Sequence, residues 1–200
     1  MVRSSEARKT YHHGDLETAL ITSALSQIKK NGPVNLSLRE VAGEIGVSPS
    51  AAYHYFPDKE SLIGSIAEHL FADLAKMEEE AVNSIPGKSA LAAKKRMRAI
   101  GIAYYKWAKK QPHSFQLMFG GFCKVDGTNG HEDKVAFQLL TKALDDLVET
   151  GAMPKSSRKG GELLAWSSVH GATNLIIEGH LPEEAFELVL DGIEKGLSIK

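Results

Sequence analysis

The sequence predicts an all-α protein: a small N-terminal unit of three helices containing a helix-turn-helix, a long connecting helix and a larger C-terminal helical domain. Three observations carry this reading. No stretch alternates apolar and polar residues with the period of two that a half-buried strand requires. Apolar residues instead recur every three or four positions along nearly the whole chain. These periodic segments are punctuated by caps and stops such as Ser-Pro, Asn-Gly-Pro and Pro-Gly.

Leu16, Leu20, Ala24, Leu25 and Ile28 stripe a first helix, with Asp15 expected as its N-cap and Asn31-Gly32-Pro33 as its stop. Ser37-Leu38-Arg39-Glu40 has capping-box spacing and opens a second, short helix that Gly46 closes. Ser48 then reads as an N-cap with Pro49 at the first helical position, and this third helix must end before Pro57. Asp58 caps a fourth helix, striped by Leu62, Ile66, Leu70, Leu74 and Met77 and ended by Pro86-Gly87. At about 1.5 Å per residue it spans roughly 40 Å, too long for the N-terminal unit alone, so it is expected to dock on the next domain.

A helix over 88–110 carries Met97, Ile100, Tyr104, Trp107 and Ala108, and Gln111-Pro112 breaks it. A short helix with Phe115, Leu117, Met118 and Phe119 runs into Gly120-Gly121, and FCKVDGTNGH is loop by composition. Helices near 132–150, 157–179 and 182–198 complete the chain, the last opening on Pro182-Glu183-Glu184. The expected boundaries are 1–57, 58–86 for the connecting helix, and 87–200.

The chain of 200 residues is 42% hydrophobic and 24% charged, with a formal net charge of −1. No global field draws it to nucleic acid or membrane, so binding must come from local geometry. A single cysteine, Cys123, precludes an internal disulfide and suits a reducing compartment. It reads as an inert thiol rather than an oxidation sensor. The N-terminus has no apolar segment of a secretion signal, and no run of about 18 apolar residues occurs, so the expected location is the cytoplasm with no membrane partner.

Enzyme signatures are missing. GGFCKVDGTNG lacks the Gly-Lys-Ser/Thr ending of a phosphate loop, and neither Gly-x-Ser-x-Gly nor His-Glu-x-x-His occurs. No catalytic residue, cofactor or metal site is expected; His12-His13 is at best a weak metal ligand pair. The runs MEEEA at 77–81 and KKRMR at 94–98 read as solvated faces, with pairing between them as the alternative.

Residues 37–56 have the form of a helix-turn-helix: two short helices joined by about three residues that include a glycine. Ala42, Ala51 and Ala52 permit a close crossing. Val41, Ile45, Val47, Ala52, Tyr55 and Phe56 supply the core beneath. Pro49, Ser50, Tyr53 and His54 are left facing out. In a DNA-binding helix-turn-helix this second helix enters the major groove. Pro49 and Ser50 would approach bases, while Tyr53, His54 and Lys59 would hold phosphates. Arg39 lies near the same face; Ser37 at the helix start and Ser48, mainly a cap, complete the candidate DNA-binding set. Arg3, Arg8 and Lys9 form a tail able to reach a neighbouring groove. Against this, residues 1–60 hold seven basic and seven acidic side chains, so the unit is neutral. From spacing alone, a purely structural hairpin stays open. None of the outward residues offers a bidentate base pairing, so specificity would lean on hydroxyl contacts, thymine methyls, water and DNA shape.

The stretch YHHGDLETALITSALSQIKKNGPVNLSLREVAGEIGVSPSAAYHYFPDKESLI resembles the N-terminal domain of the TetR/AcrR family of bacterial transcriptional regulators. The likeness covers about residues 11–65. It rests on LSLREVAGEIGVS, the Tyr-x-x-Phe ending, and Phe56, Lys59 and Leu62 at the transition to the next helix. AWSSVHGATNLIIEG, with Trp166, His170 and Gly171, is similar to a subgroup whose ligand domain carries a Trp-x-x-x-His-Gly signature. Many members have histidine before the closing phenylalanine. This chain has Tyr55 there and His54 one place earlier, which shifts weight to Tyr53 and Lys59.

The resemblance implies a C-terminal ligand-binding and dimerisation domain, double-stranded operator DNA and a small-molecule effector as partners, and a homodimer. The implied function is a repressor released from a palindromic operator by that effector. The alternative is a small-molecule-binding protein or enzyme whose hairpin is only structural. Trp107, Phe115, Met118, Phe119 and Trp166 are the candidate pocket residues, with Phe122 in the same aromatic set; an ordinary core is the competing reading. His170 and Asn174 share a face with Trp166 and would give the pocket a polar end; a core histidine bonded to a backbone carbonyl is the alternative. The helix at 162–178 is apolar nearly all round, so a second subunit is expected to cover one side. Leu175, Phe186, Val189, Ile193 and Leu197 are the candidate interface residues, with Gly192 and Gly196 allowing close approach.

Overall fold

A computed structural model describes residues 13–122 and 135–200. Arg3, Arg8, Lys9, His12 and Cys123 lie outside the described residues. Among the described residues all regular structure is helical. The elements are α1 (His13–Asn31), α2 (Leu38–Glu44), α3 (Pro49–Tyr55), α4 (Lys59–Asn83), α5 (Ala90–Lys110), α6 (Pro112–Phe119), α7 (Val135–Glu149), α8 (Gly161–Ile177) and α9 (Ala185–Gly196).

Local chemistry sets most boundaries. Ser37, Ser48 and Ser89 cap α2, α3 and α5 through side chains that accept from the backbone N–H three residues on. Asp58 and Ser61 form a reciprocal capping box at the start of α4. Gly46 follows α2 at φ 75, a left-handed conformation that a side chain would resist. Three boundaries differ from expectation. The helix expected from 157 begins only at Gly161, after a separate turn at Lys155–Ser157. Asp15 lies in the first turn of α1, because that helix already begins at His13. Pro182 precedes α9 in a separate turn closed by Ala185 N–H to Pro182 O, so the helix starts at Ala185.

One apolar core runs through the described residues, from Leu20 and Ile28 on α1 to Ile193 and Leu197 at the C-terminal end. α4 is the common member. Leu62, Ile63 and Ile66 on its first half are buried, as are Leu70 and Leu74 further along. It packs against α1 as well as α5, α6 and α7. α6 makes a second link: it lies against α1, and His113 Nδ1 sits 3.1 Å from Lys29 O.

The charge runs behave differently from either expectation. Lys94, Arg96 and Arg98 pair with Glu194, with Asp146, and with Glu187, Asp191 and Glu194, tying α5 to α7 and α9 rather than to α4. Within the acidic run, Glu78 is not solvated at all but 2% exposed.

Candidate nucleic-acid interface and ligand cavity

The helix-turn-helix core forms from small and branched side chains. Val41, Ala42, Ala52 and Phe56 are buried, with Ile45, Val47, Ala51 and Tyr55 half-buried against them. The other face of α3 is open. Pro49, Ser50, Tyr53 and His54 are all exposed, Tyr53 by 43%. Arg39 on α2 is also exposed, and Ser37 is half-buried at its cap. Ser48 Oγ accepts from Ala51 N–H at 3.2 Å and lies 3.0 Å from Ser50 Oγ, so the cap also orients the hydroxyl that follows. Lys59 is placed more firmly than expected: its Nζ donates to Val34 O at 3.0 Å, which holds the start of α4 to the α1–α2 connection. The ammonium keeps two further donors.

At the far end of α4 the helices line a partly open cavity of about 80 Å³. Phe71, Leu74 and Glu78 line it from α4, Tyr104 and Gly101 from α5, Phe119 from α6, Phe137 from α7, Trp166 from α8 and Ile193 from α9. A side chain at position 101 would be tight there: a Cβ would come 3.0 Å from Leu190 Cδ2 and 3.4 Å from Val169 Cγ2, so those side chains would have to shift by a few tenths of an ångström.

Of the residues expected in a pocket, Phe119 and Trp166 line this cavity. Trp107, Phe115 and Met118 do not; they are buried in the core, and the Trp107 indole N–H donates to Asp73 at 2.8 Å. His170 stands one layer behind the wall. Its ring is 4.8 Å from Phe119 and 5.9 Å from Trp166, and Tyr104 Oη lies 2.8 Å from its Nδ1. Burial pushes the Tyr104 hydroxyl well above the ordinary phenol range, so it stays a neutral donor or acceptor. Asn174 is half-buried and outside the lining.

Glu78 is the residue that sequence reading missed. It is buried, lines the cavity, and its Oε2 has no hydrogen-bond partner among the described residues. Burial raises its carboxyl from the ordinary 4.5 to about 8. The available signal was its register: Phe71, Leu74 and Glu78 follow one another at i, i+3 and i+7 on the inward face of α4.

The candidate interface residues divide. Phe186, Ile193 and Leu197 turn into the chain's own core, Phe186 stacked on Tyr105 at 4.4 Å and Ile193 on the cavity wall. Leu175 is exposed and Val189 half-buried. The outward apolar side chains of α8 and α9 are instead Leu163 (67% exposed), Leu164 and Leu188 (71%) together with Leu175. No helix among the described residues is long and apolar enough to cross a membrane, and none of their acidic, histidine and cysteine side chains cluster to hold a metal ion.

Two family profiles match the chain: "Bacterial regulatory proteins, tetR family" over residues 20–66, and "Tetracyclin repressor-like, C-terminal domain" over residues 97–193. The HTH-type transcriptional regulator BetI of Brucella canis is 37% identical over 57 residues, 28% of this chain and 29% of that protein. The chain therefore matches less than a third of the length of such curated relatives. Over the whole chain, a protein of unknown function from Rhodococcus sp. RHA1 is similar at 28% identity, with a TM-score of 0.77 and coverage of 95% of this chain and 99% of that one. The regulator FadR from Bacillus subtilis, solved with stearoyl-CoA, shares the fold at 13% identity, with a TM-score of 0.70 and coverage of 90% and 97%. With an exposed second helix in its helix-turn-helix, a helical C-terminal domain around a cavity, and both halves matched by profiles of one family, the chain belongs to the TetR family of bacterial regulators.

Proposed function

We propose that the protein is a homodimeric repressor that binds double-stranded operator DNA through α3 and releases it when a small molecule occupies the C-terminal cavity. One observation carries this reading: a single helix, α4, begins beside the exposed recognition helix and lines the cavity further along. Lys59 at its start is bonded to the α1–α2 connection, while Phe71, Leu74 and Glu78 meet the cavity. An occupant that binds one arrangement of these helices more tightly than another shifts the balance between them. α6 offers a parallel route, from Phe119 on the cavity wall to His113 against α1.

On DNA, Pro49 and Ser50 approach base edges, and Tyr53, His54, Arg39 and Lys59 bear on phosphates. The face carrying Leu164, Leu175 and Leu188 is the dimer contact, in which two copies of α8 and α9 form a four-helix seam. That symmetry sets two recognition helices about one DNA turn apart, roughly 34–36 Å, on a near-palindromic site. Trp166, His170 and Gly171 support placement in the Trp-x-x-x-His-Gly subgroup. A regulator of this kind acts in the cytoplasm and is not an enzyme.

The test is selection of duplexes from a random pool by the purified protein, followed by sequencing. The expected result is a palindrome with half-sites about one turn apart. Failure to enrich any sequence would overturn the reading.

A further inference from the structure

We propose that the cavity binds a small organic monocation, with Glu78 as its counter-ion and the rings of Phe71, Tyr104, Phe119 and Trp166 as its walls. The inference rests on the reading of this cavity as the effector site and names the chemical class of the effector.

Buried carboxylates in folded proteins are normally paired or fully hydrogen-bonded, because an uncompensated charge in an apolar site is costly. Glu78 departs from that rule. It is 2% exposed, and its Oε2 has no partner among the described residues. The nearby cation does not serve it: Arg98 lines the cavity but is engaged with Glu187, Asp191 and Glu194 at 2.5, 3.0 and 3.1 Å. Lys94 also goes to Glu194. That rim therefore holds two cations against three carboxylates, and its residual charge is negative. Tyr104 is occupied with His170. The remaining titratable or charged groups of the helices around the cavity are thus Arg98 and Tyr104 on α5, His170 on α8 and Glu194 on α9. α6 and α7 present only apolar side chains to it.

Aromatic faces carry negative potential and attract a cation, most strongly where water is excluded. A carboxylate beside several rings in a largely apolar cavity suits an ammonium group with short alkyl substituents, and about 80 Å³ accommodates one of four or five heavy atoms. In the free protein, burial keeps Glu78 protonated near neutrality. Entry of a cation makes ionisation favourable, so the carboxyl proton leaves to solvent as the ion pair forms.

The experiment is calorimetric titration of the full chain with tetramethylammonium chloride, with tert-butanol as a neutral probe of the same shape. Titrations run between pH 6 and 9 in buffers of different ionisation enthalpy. The cation should bind about tenfold more tightly per pH unit up to near pH 8 and then level off, releasing close to one proton per cation at pH 7. tert-Butanol should bind at least tenfold more weakly. Glu78→Gln should lose the pH dependence and at least tenfold in affinity at pH 8, with its helical circular dichroism kept. His170→Gln should retain the pH dependence. No binding of the cation, equal binding of tert-butanol, or pH-independent affinity without proton release would each overturn the proposal. The wild-type titration decides it even if a variant fails to fold. Duplex binding separates the two readings. Release of DNA by neutral compounds alone would leave the effector site standing and sink the cation. Cation binding with proton release but no change in DNA affinity would do the reverse.

Discussion

The two ends of α4 are built on opposite terms. At its start, polar groups are satisfied locally: Asp58 and Ser61 close a capping box, Lys59 reaches Val34 O, and the side chains left over on α3 face water. Further along, Glu78 is buried in an apolar cavity with an unpartnered oxygen. The first arrangement is stable as it stands and offers its surface to a large partner. The second carries a cost that, on the proposal above, an incoming cation relieves. A regulator needs both: one end that holds its shape for DNA and one whose energy depends on what is bound.

The largest expected effect lies at the cavity end. The folded state holds the Glu78 proton up to about pH 8, whereas the unfolded chain releases it near 4.5. Between those values the folded state binds more protons, so stability falls as pH rises, by on the order of 5 kcal/mol across the window. Denaturant unfolding at pH 5, 6.5 and 8 should show this decline, and Glu78→Gln should flatten it. A flat wild-type profile would contradict the burial.

Next comes the shared core. Leu62 toward the DNA end and Leu74 toward the cavity are both essentially inaccessible. Truncating either to alanine should cost about 2–5 kcal/mol. Because one core spans both ends, each variant should still unfold in a single transition. Two separated transitions for Leu62→Ala would show that the ends are independent bodies and would weaken α4 as the link.

A smaller change is expected at the start of α3. Ser48→Ala removes the oxygen that accepts from Ala51 N–H and should cost about 1 kcal/mol of stability, measured by thermal unfolding. The smallest stability effect belongs to Tyr53→Ala. Its ring is exposed, so stability should stay within about 0.5 kcal/mol of wild type. Affinity for the selected duplex should nonetheless fall about tenfold, roughly 1.4 kcal/mol.

What could be read from the sequence follows the same division. Caps, stops and the helix-turn-helix are local, so Ser37, Ser48, Pro49, Asp58 and Gly46 mark their elements in the sequence alone. The outward set on α3 also follows from a seven-residue helix whose inner face is fixed by Ala52 and Phe56. The cavity depends on how six helices cross, and spacing along one helix does not report that. Trp107, Phe115 and Met118 are as aromatic or polarisable as Phe119 and Trp166, yet only the latter two reach the cavity. Glu78 was hidden because a run of acids ordinarily faces water. Along α9 and the residue that follows it, Phe186, Ile193 and Leu197 sit on the inward stripe, while Leu188 is exposed on the outward side.

The most direct test of the central claim is the salt dependence of affinity for the selected duplex, wild type against Arg39→Ala. If the face around α3 is the DNA surface, log affinity should fall linearly with log salt, and removing the exposed Arg39 guanidinium from both subunits of the proposed dimer should lower that slope by about 1.8, roughly 0.9 for each copy. Identical slopes with identical affinities would mean that the DNA, if bound at all, lies against some other part of the molecule.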